Sequence, residues 1–225
     1  MSTIQQIQIT VDETSLVALK DLGYALYVLR AVDTNNAGAK ALVMFVVTEV
    51  LGQTTITFTP TLQATVTTSG SLVDISVGAQ VVLGDVFTYV SGGPPTVTPG
   101  GNPRGVTVLN GTTDPLTAEL GAGPEGGPPM PFVSAPLYGL GGDIFAPKDS
   151  YLVTFSTAGL GAGAVLNTSM SQSLLANLAE QAQVAASFDI NKGWNYGGAS
   201  WGQVVPAGAN LQKTLITTMP LAKRA

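Results

Sequence analysis

The residue types on which most enzymes rely are incomplete in this chain. Its 225 residues include no cysteine and no histidine. Zinc, copper and haem sites that depend on thiolate or imidazole are therefore excluded, as are Ser-His-Asp and Cys-His catalysis. Any catalysis would have to use carboxylates, lysine or tyrosine, without the commonest general base. We expect a non-enzymatic protein with no catalytic residues, no metal and no cofactor.

The best candidate for a ligand-binding site is a glycine-rich segment that contains both tryptophans of the chain, Trp194 and Trp201. Asn195, Tyr196 and Gln203 are their close neighbours in sequence. Flat aromatic rings beside amide groups are typical of sites that stack on sugars or hold a protein partner. The alternative is that both rings plug one end of the core. Trp201 precedes an apolar pair that begins a strand, so the sequence predicts that Trp201 is more buried than Trp194.

Two pairs of carboxylates have the composition of a glycosidase or calcium site. Asp143 and Asp149 flank a short apolar run, whereas Glu119 and Glu125 lie in a region rich in glycine and proline. Neither pair occurs in a recognisable ligand loop, and we interpret all four as solvated loop acids.

A glycine loop at residues 159–163 is similar to the phosphate-binding turn of dinucleotide-binding proteins. That motif requires a parallel βαβ unit and an acidic residue at a later strand end. Neither is visible in this sequence, so the segment is predicted to be a turn.

Charge is sparse. Only 10% of residues are charged and the net charge is −5, whereas about 25% is usual in globular proteins. Nucleic acid is not an expected partner, because the only adjacent basic pair is Lys223–Arg224 and backbone binding needs clustered cations. A lone monomer with so few charges would be poorly soluble. This favours a surface that is partly covered by other subunits.

The N-terminus has neither the basic nor the apolar region of a signal peptide. The longest strongly apolar run, residues 41–47, is far shorter than the ~20 residues of a membrane-spanning helix. We expect a protein that is cytoplasmic at synthesis, and a membrane is disfavoured as a partner. Incorporation into an assembled particle and export by a signal-less route both remain open.

A stretch rich in glycine and proline divides the chain. Residues 91–131 contain ten glycines and nine prolines, which is typical of a linker or a long functional loop. Two short strands are predicted inside it, at 105–109 and 116–120. We therefore expect a single β-rich domain over residues 1–225, with 91–131 as a surface excursion that carries its own hairpin. Deletion of 92–129 is expected to leave the fold intact.

The first 90 residues alternate between apolar and polar types. A strand is predicted at the entry, around residues 4–9, and a short helix over 12–22 with Asp12 as its N-cap. The segments 24–31 and 39–50 are predicted to pair as a hairpin. Period-two alternation then predicts a second hairpin over 54–84, with Pro60 at an edge or bulge, and a strand at 86–90 that continues the meander. An amphipathic membrane hairpin is the alternative interpretation of 54–84.

The last 94 residues are predicted to add further strands and a second helix. Strands are expected at 151–156, 184–190, 202–205 and 211–219, and a helix over 171–182. The fold class that follows is mainly β: an antiparallel β-sandwich or partly closed barrel with two short helices and a long Gly/Pro-rich excursion.

These features favour a structural protein. We expect a β-rich subunit that self-associates with copies of itself, as coat, shell, virion or filament proteins do. The alternative is a binding module, either lectin-like with carbohydrate as partner or membrane-active and pore-forming.

Overall fold

A computed structural model describes residues 4–68, 76–123 and 129–219. Within these ranges the chain is mainly β, with 55% strand and 7% helix. The predicted fold class is confirmed, and the architecture is consistent with a β-sandwich. The two helices are α1 (Glu13–Asp21) and α2 (Leu211–Leu215). The strands, in chain order, are β1 (Gln5–Val11), β2 (Ala25–Thr34), β3 (Lys40–Ala41), β4 (Val43–Val47), β5 (Gln53–Phe58), β6 (Leu62–Thr67), β7 (Ser76–Val81), β8 (Asp85–Tyr89), β9 (Thr96–Pro99), β10 (Val106–Asn110), β11 (Leu116–Ala122), β12 (Met130–Leu137), β13 (Gly142–Ser156), β14 (Ser173–Asn177), β15 (Gln183–Asp189), β16 (Gly193–Asn195), β17 (Gly202–Val205) and β18 (Ile216–Thr218).

The strands form three open sheets. The four-stranded sheet has the order β16-β15-β1-β5, and the five-stranded sheet has the order β3-β12-β11-β6-β7. The nine-stranded sheet follows β17-β14-β13-β10-β8-β9, with β2 paired to β13 and flanked by β4 and β18. Most neighbours are antiparallel, but β1 with β15, β8 with β10, and β2 with β18 are parallel. Strands distant in sequence are thereby joined, so the core depends on the whole chain.

The predicted first helix is confirmed as α1. The Asp12 side chain accepts a hydrogen bond from the Ser15 amide at 3.0 Å, which satisfies one of the free N–H groups at the helix start. Gly23 follows the end of the helix with φ +71°, a conformation that glycine adopts without steric cost. The Ser15 hydroxyl accepts a hydrogen bond from the Ile190 amide at 2.8 Å. This contact fixes α1 beside the end of β15.

The hairpin predicted for residues 54–84 forms only in part. β6 and β7 pair antiparallel, with Leu62 opposite Val81 and Thr67 opposite Ser76. β5 instead pairs with β1 in a different sheet. The chain changes sheets around Pro60, whose missing N–H cannot continue a ladder. The predicted turn at 68–71 and the start of the second arm fall largely outside the described residues.

Two further predictions for the first 90 residues have different outcomes. The hairpin predicted from 24–31 and 39–50 is confirmed, because β2 and β4 pair antiparallel. The predicted continuation of the meander into 86–90 is wrong. β8 pairs with β9 and β10 in the nine-stranded sheet.

The prediction that residues 91–131 form a surface excursion with its own hairpin fails at the two strands predicted inside it, whereas β9 in the same segment is exposed at all four residues. β10 and β11 both lie in this segment but belong to different sheets. Val106, Val108, Ala118 and Leu120 are fully buried. The alternating apolar residues favour strands here despite the high glycine and proline content, because one face of each strand packs into the core. Deletion of residues 92–129 would remove two strands of the core, so it cannot leave the fold intact.

The second helix is not where the sequence predicted it. Residues 173–177, within the expected helix at 171–182, form the strand β14 between β13 and β17. The expected strand at 211–219 begins instead with α2, which is followed by the short strand β18. Asn210 caps α2 by accepting a hydrogen bond from the Lys213 amide at 3.0 Å.

The main core fills the space between the sheets and includes Phe58, Phe87, Phe132, Phe155 and Trp194. A smaller cluster around Tyr27, Leu211 and Leu215 packs α2 against β2. In the part of the chain that the structure describes, neither helix has the length and apolar content needed to cross a bilayer.

Candidate functional site

Trp194 is part of the core rather than of an exposed loop. It lies on β16 directly opposite Phe188 of β15 and is 6% exposed. Its ring stacks on Phe155, with centroids 5.6 Å apart and planes 10° apart. The indole Nε1 donates to the Gln172 carbonyl at 2.9 Å. Phe155 therefore covers one face of this ring, and its one polar atom has a partner within the chain.

The predicted order of exposure of the two tryptophans is wrong. Trp201 is 9% exposed and thus slightly less buried than Trp194. The Trp201 ring meets Tyr196 edge-on, with a centroid distance of 5.7 Å. Asn195 and Gln203 are exposed, whereas Tyr196 is half-buried. The segment therefore offers amide groups to solvent without the flat rings that would stack on a sugar, and carbohydrate binding stays a prediction.

Three of the four acidic residues lie on strands rather than in loops, and of these only Asp149, on β13, is exposed. Asp143 lies on β13, is buried, and accepts a hydrogen bond from Asn36 Nδ2 at 2.8 Å. Glu119 lies on β11 and is half-buried. Burial raises the pKa of both carboxyl groups above the usual values. Glu125 falls outside the described residues.

The predicted turn at 159–163 is a loop with positive φ at Gly159 and Gly163. The next element after it is the strand β14. A dinucleotide-binding unit would need a helix at this point, so the structure does not form one.

A cavity that the sequence did not predict lies where β2, β5 and β13 meet. Its volume is about 630 Å³. Its lining includes the polar residues Gln5, Arg30, Asp149 and Glu180 and the apolar residues Pro60, Val82, Leu83 and Pro147. Such a volume is within the ~300–1,000 Å³ of typical ligand sites.

Arg30 is the central charge of this cavity. It is 7% exposed, and its guanidinium lies between two rings, 5.3 Å from the Phe132 centroid and 5.2 Å from that of Tyr151. Arg30 Nε donates to the Lys148 carbonyl at 2.8 Å, and Nη2 donates to Asp149 Oδ1 at 3.3 Å. A buried cation needs such partners.

An irregularity in β13 positions the partners of Arg30. The pairing of β13 with β2 shifts register between Pro147 and Tyr151, so the residues between them bulge from the ladder. The bulge includes Lys148 and Asp149, which bind the guanidinium. The Asp149 side chain stays 45% exposed, and its carboxylate is accessible from the cavity.

Tyr151 forms the wall of the cavity beside Arg30. Its ring stacks on Phe58 at 3.7 Å, and its hydroxyl donates to Gln5 Oε1 at 3.0 Å. Burial raises the pKa of Tyr151 to about 12, although the Arg30 charge opposes the shift. Tyr151 therefore stays protonated near neutral pH and cannot act as a base there.

The rim of the cavity exposes apolar surface. Val82 and Leu83 follow β7 directly and are 64% and 49% exposed. A signal for this site exists in the sequence, since Arg30 is the only charged residue in the apolar run 24–31. The sequence does not reveal its partners Lys148 and Asp149, because these are distant along the chain.

Comparisons of this chain with models of known families, with curated proteins and with solved structures find no match.

Proposed function

We propose that this chain is a structural subunit that associates with copies of itself through the edges of its β-sheets. The observation that carries the proposal is the edge strand β7. Among the described residues it ends the five-stranded sheet, and its sequence, Ser-Val-Gly-Ala-Gln-Val, has neither charge nor proline. Monomeric proteins usually protect such an edge with lysine, proline or a covering loop.

Two further features support self-association. The strand β9, at one end of the nine-stranded sheet, is exposed at all four residues and uncharged, although its last residue is a proline, Pro99. Apolar side chains lie exposed beside β7, at Val82 and Leu83. With few charges on the whole chain, little electrostatic repulsion opposes contact between copies.

The experiment is to place two lysines on the exposed side chains of β7, Ser76→Lys and Gln80→Lys. Edge lysines hinder strand addition, because they would be desolvated in the contact. We expect wild-type protein to form oligomers in native mass spectrometry and sedimentation velocity, and the double variant to remain largely monomeric at equal concentration.

A matched control uses the central strand β15, which has neighbours on both sides. Ala185 and Ser187 are exposed there, and Ala185→Lys with Ser187→Lys adds the same charge. This control should assemble like wild type. A wild-type chain that stays monomeric at high concentration, or equal losses in both variants, would contradict the proposal.

A further inference from the structure

The guanidinium of Arg30 has more hydrogen-bond donors than partners. A guanidinium carries five N–H groups, and Arg30 uses one for the Lys148 carbonyl and one for the Asp149 carboxylate. No further hydrogen bond of Arg30 forms among the described residues. The Arg30 side chain is only 9% exposed, yet it borders the cavity. Because an unpaired buried donor is costly, the remaining N–H groups require acceptors inside the cavity.

Two aromatic rings restrict how a ligand can reach Arg30. Its guanidinium carbon lies over the Phe132 ring, 5.3 Å from the centroid, and over the Tyr151 ring, 5.2 Å from the centroid. Both rings are buried, and Tyr151 is also stacked on Phe58. The donors of a guanidinium point outward in its own plane. A ligand therefore contacts Arg30 through hydrogen bonds at the edge of the guanidinium rather than by stacking on it.

Asp149 places hydrogen-bond acceptors next to these donors. Its Oδ1 accepts from Arg30 Nη2 at 3.3 Å, a long bond to one oxygen instead of the bidentate pair that these groups can form. Its Oδ2 has no hydrogen-bond partner in the part of the chain that the structure describes. The Asp149 side chain is 45% exposed. Free donors and a free acceptor thus lie side by side at the cavity.

The charges of the lining favour a neutral ligand. Among the described residues that line the cavity, Arg30 is the one cation, whereas Asp149 and Glu180 are acidic. The net charge of the chain is −5, so a carboxylate or phosphate would approach against the field of the protein. A cation would pair with the carboxylates but would leave the donors of Arg30 unused. A neutral ligand with adjacent donors and acceptors uses both groups without separating Arg30 from Asp149.

We propose that the Arg30 cavity binds a neutral sugar, a mono- or disaccharide. Each hydroxyl of a sugar both donates and accepts, so one hydroxyl accepts from Arg30 while its neighbour donates to Asp149. The Thr59 hydroxyl donates to the Gly123 carbonyl at 2.9 Å, which leaves its oxygen free to accept from a further hydroxyl. The exposed carboxylate of Glu180 offers another acceptor. The lining therefore matches a ligand with several hydroxyls better than one with a single polar group.

The size of the cavity and the apolar part of its lining also fit a sugar. The volume of about 630 Å³ lies within the range of sites that enclose small organic ligands. Pro60, Val82 and Leu83 line the cavity and are exposed. The C–H groups of a sugar ring can cover these side chains, and burial of that apolar surface adds affinity.

The inference goes beyond self-association and does not depend on it, because every residue that it uses belongs to one copy. It also differs from the carbohydrate site that the sequence predicted at Trp194 and Trp201, since neither tryptophan lines this cavity.

The test is isothermal titration calorimetry of the full chain with named probes. The neutral probes are glucose, galactose, mannose, N-acetylglucosamine, maltose and cellobiose, and the charged probes are lysine and inorganic phosphate. We expect at least one neutral probe to bind saturably with one site per chain, and neither charged probe to do so.

Two variants locate the site. Ala179 lines the cavity and is exposed, so Ala179→Trp fills the cavity without removing a polar group. The dissociation constant of the bound sugar should rise at least about tenfold. Ala185→Trp adds the same ring at an exposed position of β15 outside the lining and should bind like wild type. Glu180→Gln, an exposed change that should not alter the thermal midpoint, should weaken binding several-fold because a charged acceptor is lost.

The outcomes separate this inference from the proposed function. The inference is overturned if no sugar of the panel binds, if only a charged probe binds, or if Ala179→Trp and Glu180→Gln both bind sugar like wild type. A chain that binds sugar in the cavity but stays monomeric contradicts self-association alone. A chain that assembles without binding any of the sugars contradicts this inference alone.

Discussion

The side chain of Tyr151 lines the cavity and also contributes to the stability of the fold. Its ring stacks on Phe58, and its hydroxyl is bonded to Gln5. Ionisation would place a negative charge where water cannot solvate it, which is why burial raises its pKa to about 12. The guanidinium of Arg30 reduces this cost without removing it. The same residue therefore shapes the cavity and makes folding sensitive to alkali.

The first prediction at this scale is a loss of stability at high pH. The folded-state pKa of Tyr151 is above the ~10 of an unfolded tyrosine. Its contribution is thus fully present below pH 10 and is lost as pH rises through 12, by up to about 2–3 kcal/mol. Urea unfolding from pH 9 to pH 12 should show this fall in wild type.

The control is Tyr151→Phe, which removes the ionisable hydroxyl. Its stability should fall less over the same range, although the lost bond to Gln5 costs it about 1 kcal/mol at pH 9. Tyr138→Phe, at an exposed ring, should follow wild type. Parallel curves for wild type and Tyr151→Phe would show that the ionisation of Tyr151 does not limit alkaline stability.

The candidate binding site illustrates why residue environments were hard to predict. The aromatic and amide composition around Trp194 and Trp201 is visible in the sequence, but the direction of each ring is not. Trp194 is buried because β16 places it opposite Phe188 and beside Phe155 and Gln172. Those contacts follow from strand pairing, which local sequence does not encode. The lone charge of Arg30 within the apolar run 24–31 is a sequence feature that does lie at the cavity.

At the scale of elements, local sequence patterns predicted the structure correctly where a helix cap was present or the apolar residues alternated regularly. Asp12 capped the predicted helix, and alternation along β6 and β7 gave strands with one apolar face. The helix predicted over 171–182 from the spacing of Leu174, Leu175 and Leu178 is wrong. Pairing on both sides, with β13 and β17, outweighed that spacing. Buried hydrogen bonds also favour the strand, because the Ser173 hydroxyl donates to Thr154 Oγ1 at 2.8 Å.

The prediction at this scale concerns the two faces of β7. Val77 is half-buried, packs against the core and lies opposite the buried Val66 of β6. Val77→Asp would place a charge against this apolar face, and we expect a loss of about 2–3 kcal/mol in urea unfolding. Ser76→Asp, on the exposed face of the same strand, should change stability by no more than about 0.5 kcal/mol. Equal losses would mean that the facing of β7 is assigned incorrectly.

At the scale of the whole molecule, the sparse charge predicts a surface that other copies cover. Part of the Gly/Pro-rich region 91–131 is core, because β10 and β11 each pair within a sheet, whereas β9 in the same region is exposed at all four residues. Among the described residues, exposed uncharged features include the edge strand β7, the residues Val82 and Leu83, and the turn with Tyr138 and Leu140. Sparse charge predicts an unprotected surface, but composition alone cannot place that surface, because glycine-rich segments occur both in loops and in strands.

The last prediction follows from linkage between assembly and folding. Copies that associate only when folded stabilise the native state by mass action, by about 2.7 kcal/mol at a partner concentration 100 times the dissociation constant. In a chain of this size, each kcal/mol raises the thermal midpoint by about 2–4 °C. The midpoint of wild type should therefore rise by several degrees as concentration increases over two orders of magnitude. Scanning calorimetry over a dilution series measures this rise.

The variant with Ser76→Lys and Gln80→Lys should keep one midpoint at every concentration, because its folded monomers do not associate and so are not stabilised by one another. A wild-type midpoint that does not change with concentration would contradict self-association coupled to folding.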